Sequence, residues 1–301
     1  MTRNEFIVKS NSDIFNDFVK YSKLSLAIWD NDPSYPILKK YYELSGMTEK
    51  QKHWHVLLYL TFYRLTSAEA VFEYYPNQEV VTLKQWYPTD YTRRGLRGDK
   101  RKQEKFINQF AGFELDKLVR KLTADKGKLG WFVFEKILQK NFWYVGTWTT
   151  YKWADLLQYV FDFDIKAPDL SNGGGKTTTG PVAGLMKLFD IPKQECDEEL
   201  GIWVYNEMIK RGVEVRDNNT LETLLCDFKA MCAGKYYVGH DIDSFLNEIT
   251  LMENEGVKKI YMEARKQTLN EKFLGEYNGW EGIRPELRKL YQRNKQIKWW
   301  A

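Results

Sequence analysis

The chain has 301 residues, with 45 Lys and Arg against 41 Asp and Glu for a net charge of +4, and 43% of it is hydrophobic. With only 8 Pro and 20 Gly, that balance excludes a disordered or collagen-like chain, and the length suffices for one large domain or two intimate ones. Aromatic content is high, at 11 Trp, 19 Tyr and 17 Phe. Tyr and Trp carry polar handles, so they point to stacking or a shaped pocket as well as to an aromatic core.

The opening MTRNEFIVKSNSDIFNDF contains no uninterrupted apolar stretch of signal-peptide length, and no run of roughly eighteen apolar residues occurs anywhere. No membrane association is expected. Cys196, Cys226 and Cys232 form no CxxC pair and read as reduced residues of a cytoplasmic protein. His53, His55 and His240 belong to no HExxH or Cys/His cluster, which argues against zinc. A carboxylate-held Mg²⁺ stays open, and no other cofactor is expected.

In chain order the predicted elements are mostly helical. Ile14, Phe18, Leu24 and Ile28 recur at helical spacing over 11–29. A short helix over 36–45 ends at Gly46, and Thr48 caps a helix over 49–65 with Trp54, Leu57, Leu58, Thr61, Phe62 and Leu65 on its apolar positions. Ser67 is the expected cap of 68–75, which stops before Pro76. Val80 to Trp86 suits a strand or a short helix. Further helices are expected over 101–122, 129–140 and 147–161, and then over 181–189, 196–211, 220–233, 241–252, 257–273 and 284–294. Between the two sets, FDFDIKAPDLSNGGGKTTTGP shows no periodicity and reads as a long Gly-rich loop. The expected fold is therefore mainly α: a compact multi-helix body forming a single catalytic domain. It is open to division into two lobes, 1–165 and 182–301, joined by loop 166–181.

Charge is uneven. Residues 190–255 hold 15 acidic and 6 basic side chains, whereas 258–301 hold 11 basic and 5 acidic. RRGLRGDKRK, from Arg93 to Lys102, packs six cations and one acid into ten positions. Arg93, Arg94, Arg97 and Arg101 suit contacts to a phosphate backbone, because the guanidinium fork fits phosphate and the glycines let the chain follow a polyanion. A solvated turn is the plainer alternative. Arg64 lies in the aromatic stretch TFYRLTSAE, predicted helical, and there needs either a ligand or an ion pair with Glu69 or Glu73.

GGGKTTTG resembles a phosphate-binding P-loop only in part, because Leu170 occupies the position of the first glycine. Lys176 remains a phosphate candidate. In WYVGTWTTYKWADLL, Lys152 stands among aromatic residues with Tyr151 and Asp155 close by in sequence; a snorkelling lysine is the alternative. CDFKAMCAGKYYVGHDID ends a helix near Gly234 and exposes Tyr236, Tyr237, His240, Asp241 and Asp243 on a turn, with Asp227 and Lys229 one helical turn upstream. His240 is the best single candidate for proton transfer near neutral pH. Asp241 also reads as the cap of helix 241–252.

Several of these pieces together resemble the phage amino acid:DNA transferases and the related α-glutamyl/putrescinyl thymine pyrophosphorylases. They are Phe62-Tyr63-Arg64, Tyr151-Lys152-Trp153, Ala167-Pro168-Asp169-Leu170, Gly180-Pro181, Phe228-Lys229, and Gly234-Lys235-Tyr236-Tyr237 with Gly239-His240-Asp241-Ile242-Asp243. The resemblance spans roughly residues 62–243. It implies a DNA-glycosylase-like helical fold, although the LPGxG helix-hairpin-helix signal of that fold is absent from this sequence. It implies displacement of pyrophosphate from 5-pyrophosphoryloxymethyluracil in double-stranded DNA by the amine of an amino acid, glycine for example, or of a polyamine.

On that reading Arg64, Lys152 and Lys176 clamp the departing pyrophosphate, and His240, Asp241 or Asp227 takes the proton of the amine. Tyr151, Asp169, Lys229, Tyr237 and Asp243 hold the substrates, while Arg93, Arg94, Arg97 and Arg101 contact the DNA backbone. A base-excising glycosylase-like enzyme and a non-enzymatic DNA-binding phage protein are the alternatives.

Overall fold

A computed structural model describes residues 12–83, 99–170, 179–233 and 235–269. Every regular element among them is helical. In order these are α1 (Ser12–Ala27), α2 (Ser34–Leu44), α3 (Glu49–Phe62), α4 (Leu65–Tyr74), α5 (Lys100–Asn108), α6 (Leu115–Leu122), α7 (Gly127–Asn141) and α8 (Thr147–Phe161). After these come α9 (Thr179–Phe189), a 3₁₀ turn (Lys193–Glu195), α10 (Glu198–Lys210), α11 (Asn218–Cys232), α12 (His240–Thr250) and α13 (Glu255–Thr268). No helix among the described residues is long and apolar enough to cross a membrane. The expected helix 284–294, Arg93, Arg94, Arg97 and Lys176 lie outside the described residues.

The chain forms two compact units. Among the described residues, one draws on 12–33 and on the span Ala167–Ser244, together with Leu269; the other draws on the spans Ser34–Lys166 and Phe245–Thr268. In the first unit α11 packs on α9 and α1. Ten of the fifteen α11 residues are buried, and Asp217 starts the helix by accepting from the Thr220 N–H at 2.7 Å and its hydroxyl at 2.8 Å. The core is aromatic: Phe15 stacks on Phe189 at 5.9 Å, and Phe18 meets Phe228 edge-on at 5.1 Å.

Close approach of α9 to α11 depends on Gly184. A Cβ there would sit 2.7 Å from the Leu225 carbonyl oxygen and 2.8 Å from the Leu225 Cβ. Backbone must move to admit it, so Gly184→Ala is expected to cost about 1–3 kcal/mol. Gly112→Ala, whose Cβ meets nothing within 4 Å, should cost far less. Urea denaturation of the two variants checks the contrast.

In the second unit α3 is buried on all sides from His53 to Phe62, and α4, α5, α6 and α8 pack against it. Thr48 and Gln51 form the reciprocal capping box that starts it, as the sequence led us to expect of Thr48. A second buried network lies beside it. Glu69 accepts from Tyr261 and pairs with His55 Nε2 at 2.8 Å, while the Tyr42 hydroxyl bonds His55 Nδ1 at 2.6 Å. His53 stacks on Phe161 at 4.1 Å, and burial pushes its pKa down to about 4, so it is neutral.

Three local expectations need correction. The predicted helix 49–65 stops at Phe62, because Tyr63 is left-handed (φ 46°) and Arg64 is extended (φ −149°). Arg64 is thus the residue before α4, and Ser67 is buried inside that helix rather than capping it. The predicted helix 101–122 is two helices, since the turn after Asn108 lets Phe110 stack on Phe142 at 4.6 Å. Residues 80–83 are neither strand nor helix: Asn108 bonds both the N–H and the C=O of Val81, at 2.7 and 2.8 Å, and Glu104 accepts from the Leu83 N–H at 2.9 Å.

Candidate active site

The densest gathering of titratable side chains in the first unit begins with how α1 ends. The N–H of Asp30 bonds the Ser25 carbonyl at 2.9 Å, and that of Trp29 bonds the Leu26 carbonyl at 3.3 Å. This is the Schellman closure, with Trp29 at φ 61° where glycine is usual. A tryptophan there is strained, and the Arg216 guanidinium lies 3.6 Å over its ring as a compensating contact. The closure delivers Asp30, fully buried, to the start of α12.

Asp30 Oδ1 accepts from the N–H groups of Asp241 at 3.1 Å and Ile242 at 3.3 Å, and Oδ2 accepts from the Tyr236 hydroxyl at 2.9 Å. A carboxylate 206 and more residues away in sequence therefore caps α12, in place of the expected Asp241 cap. The opposing effects can be ranked. Burial and the neighbouring Asp241 charge raise the Asp30 pKa from 3.8 to about 7, and the hydrogen bonds from Tyr236 and the helix backbone only partly offset them. Desolvation wins, so Asp30 holds or releases its proton near neutrality.

Around this carboxyl lie Asp227, Asp241, Tyr21 and Tyr236. Burial raises both phenols first, and the charges of Asp227, Asp30 and Asp241 raise them further. Both tyrosines stay neutral. His240 is the more open member, with its side chain 36% exposed, and its Nδ1 lies 2.9 Å from Asp241 Oδ1. The carboxylate can only accept, so Nδ1 carries the hydrogen, and in the neutral ring Nε2 is then the nitrogen with the lone pair. Tyr237 packs edge-on against His240 at 5.2 Å and donates to Asp243 Oδ2 at 3.2 Å. Gly239 makes the turn before α12, at φ 104°.

Of the candidates chosen from sequence, His240, Asp241, Asp227, Tyr237 and Asp243 thus come together, and Lys229 lies on α11 two residues beyond Asp227. Asp169 is half-buried in the same unit. Sequence reasoning missed Asp30, Tyr21 and Lys187, and it placed Tyr236 on an exposed turn although it is buried. Lys187, on α9, is displaced downward in pKa, chiefly by burial and in part by the charge of Lys229. The only sequence signal for Asp30 was the polar run Asp30-Asn31-Asp32 before Pro33, which reads equally well as a plain turn.

Lys152, Tyr151, Arg64 and Arg101 belong to the second unit. Lys152 is 4% exposed, and its Nζ lies 3.1 Å from Asp155 Oδ2, which also accepts from the Tyr35 hydroxyl at 3.1 Å. Tyr151 is buried edge-on against Trp131 at 5.0 Å. Arg64 donates from Nε to the Thr66 hydroxyl at 3.0 Å. Arg101 is exposed in the first turn of α5, whose N–H groups at 101 and 102 are capped by Asp99. A cleft of about 1170 Å³ in this unit is lined by Tyr41, Glu69, Phe72, Glu73, Met252 and Glu253 among others, and holds none of the catalytic, substrate-binding or DNA-binding candidates chosen from sequence.

Among the described residues no three His, Cys, Asp or Glu side chains converge to hold a metal ion. Cys232 is buried, and burial pushes its thiol up to about 12, so it is inert rather than nucleophilic. The sequence matches no protein-family model and shows no significant similarity to any curated protein.

Proposed function

We propose that the chain is a DNA-directed transferase with a DNA-glycosylase-like helical fold. It would replace the pyrophosphate of 5-pyrophosphoryloxymethyluracil in double-stranded DNA with the amine of a free amino acid or polyamine. The observation that supports this reading most directly is the His240–Asp241 pair, an imidazole at a half-open position backed by buried carboxyls. The second support is the resemblance carried by Phe62-Tyr63-Arg64, Tyr151-Lys152-Trp153 and the segment ending Gly239-His240-Asp241.

In this mechanism the substrate ammonium gives a proton to His240 Nε2, and Asp241 stabilises the imidazolium that forms. The freed amine forms a C–N bond to the exocyclic methylene as the C–O bond to pyrophosphate breaks. Negative charge grows on the leaving oxygens, and Lys229 on α11 and Lys187 on α9, cations of the same unit close enough to feel each other's charge, would answer it. Arg101, with Arg93, Arg94 and Arg97 of the same basic segment, would hold the DNA backbone.

The test incubates the protein with DNA carrying the pyrophosphorylated base and a pool of amino acids and polyamines. Released pyrophosphate and the nucleoside mass are then measured. The expected result is one pyrophosphate released for each nucleoside whose mass changes by loss of pyrophosphate and addition of one amine donor, and a loss of about 10²–10⁴-fold in rate for His240→Ala. No pyrophosphate and no mass change would sink the proposal. Alkali-labile abasic sites in its place would point to base excision.

A further inference from the structure

Two lysines of α5 reach over two open aromatic rings in the second unit. Helix α5 exposes Lys100, Arg101, Lys102 and Lys105 within six positions. The turn between α7 and α8 exposes Trp143, 37% open, and Tyr144, 48% open, between the buried anchors Phe142 and Val145. Lys105 Nζ lies 4.4 Å over the Trp143 ring and Lys102 Nζ lies 5.9 Å over the Tyr144 ring. The two ring centroids are 4.8 Å apart.

This display is held rigidly. Gln109, just beyond α5, clamps the Trp143 backbone on both sides: its Oε1 accepts from the Trp143 N–H at 2.7 Å, and its Nε2 donates to the Trp143 carbonyl at 3.0 Å. Tyr144 sits at φ 64°, a left-handed conformation that a bulky ring disfavours and glycine or asparagine would occupy at less cost. A strained, pinned and exposed tyrosine beside a tryptophan is unexplained by packing, because neither ring is in the core. Of the acids on this face, Glu104 accepts from the Leu83 N–H, and Asp99 caps α5 while its Oδ2 lies 3.3 Å from Lys102 Nζ, an exposed pair of the kind worth little in water that a phosphate can replace.

We propose that this face binds nucleic acid, stacking one unpaired base on Trp143 and Tyr144 while Arg101, Lys102 and Lys105 contact the phosphates on either side of it. Planar rings interleaved with cations match a polymer that offers flat bases and phosphates in alternation. An acidic peptide would satisfy the charges but leave both rings idle. The lysines now over the rings do not block the site, since an exposed cation–π pair is weaker than a stacked base and the lysine stems are long enough to swing onto phosphate. The inference rests on the DNA-directed reading for the identity of the polymer, and its test needs neither amine nor pyrophosphate.

The test measures fluorescence polarisation of a labelled duplex with one unpaired thymine, beside the fully paired duplex, from 50 to 200 mM salt. Wild type should prefer the unpaired-base duplex. Trp143→Ala/Tyr144→Ala should erase that preference, a loss of about tenfold in affinity for the unpaired-base duplex alone. Lys102→Gln/Lys105→Gln should weaken both duplexes and flatten the slope of log affinity against log salt by about 0.9 for each phosphate no longer neutralised.

Tyr144→Asn separates binding from folding: it relieves the backbone, so thermal stability should hold or rise while the preference falls. Retention of the preference in the ring variants, or an unchanged salt slope in the lysine pair, would overturn the inference. If DNA binds through these residues but no amine transfer occurs, only the transferase reading fails. If transfer occurs with the ring variants unaffected, only this surface fails.

Discussion

Lys152→Met is expected to lower the stability of the protein by about 3–5 kcal/mol, the cost of breaking a buried ion pair from one side. The ammonium lies 3.1 Å from Asp155 Oδ2, in a place where both side chains are almost closed to water, at 5% and 3% exposure. Removing the cation leaves a carboxylate desolvated without the charge that offsets its burial. Adding Asp155→Asn should restore most of the loss, because the amide carries no charge and its oxygen still accepts from the Tyr35 hydroxyl. Urea denaturation of the single and double variants reads this directly. A double variant no more stable than Lys152→Met would mean that the lysine acts through packing of its stem along the Tyr35 ring, 6.0 Å from its Nζ, and not through charge. A lysine so committed is also poorly placed to follow a leaving group, so the Lys152 variants should reduce transfer only as far as they reduce the folded fraction.

Asp30→Asn is expected to change how stability depends on pH. The folded Asp30 carboxyl titrates at about 7, against 3.8 in an ordinary setting. Between those values the native state keeps a proton that the unfolded chain has released. Raising the pH through this window therefore destabilises the wild type, by up to roughly 4 kcal/mol at 1.36 kcal/mol per pH unit of displacement. Below about pH 4 the penalty is absent, and above about pH 7 it is complete. Asparagine cannot lose a proton, and its Oδ1 can still accept from the Asp241 and Ile242 N–H groups. The stability of wild type minus that of Asp30→Asn should thus fall between about pH 4 and pH 7 and level off above, while titrations elsewhere in the molecule largely cancel. A difference that stays flat over that range would show that Asp30 does not titrate there.

How much of this was legible in the sequence depended on whether the cause was local. Thr48 with Gln51, and the apolar spacing from Trp54 to Phe62, identify α3 because capping and periodicity act within a turn or two. The break at Tyr63 is local too, but the left-handed backbone of a tyrosine leaves no mark on hydrophobic spacing, so Arg64 reads as helical when it is not. Lys152 stands one turn from Asp155, and their pairing is implicit in that spacing; their burial is not, because it is set by helices brought from elsewhere in the chain. Asp30 was out of reach. Nothing near it announces that it will cap a helix more than two hundred residues later, and its pKa follows from that burial. His240 and Asp241 were found because a histidine beside a carboxylate in a turn is a local signal.

The long reach of Asp30 also bears on the order in which the molecule is made. Its partners Tyr236, Asp241 and Ile242 follow it by 206 to 212 residues, so the nascent chain must be synthesised past Ile242 before that carboxyl has anything to hold. Helix α1 emerges first and settles among the last, since the helices it packs on, α9 and α11, are encoded far downstream. Most of the second unit, Ser34–Lys166, is continuous and can begin to collapse while the ribosome is still extending the chain, although α13, which packs on α2, joins only after residue 255. Until it docks, α1 exposes Phe15, Phe18 and Tyr21, which gives a chaperone a longer window on this helix than on those that follow it.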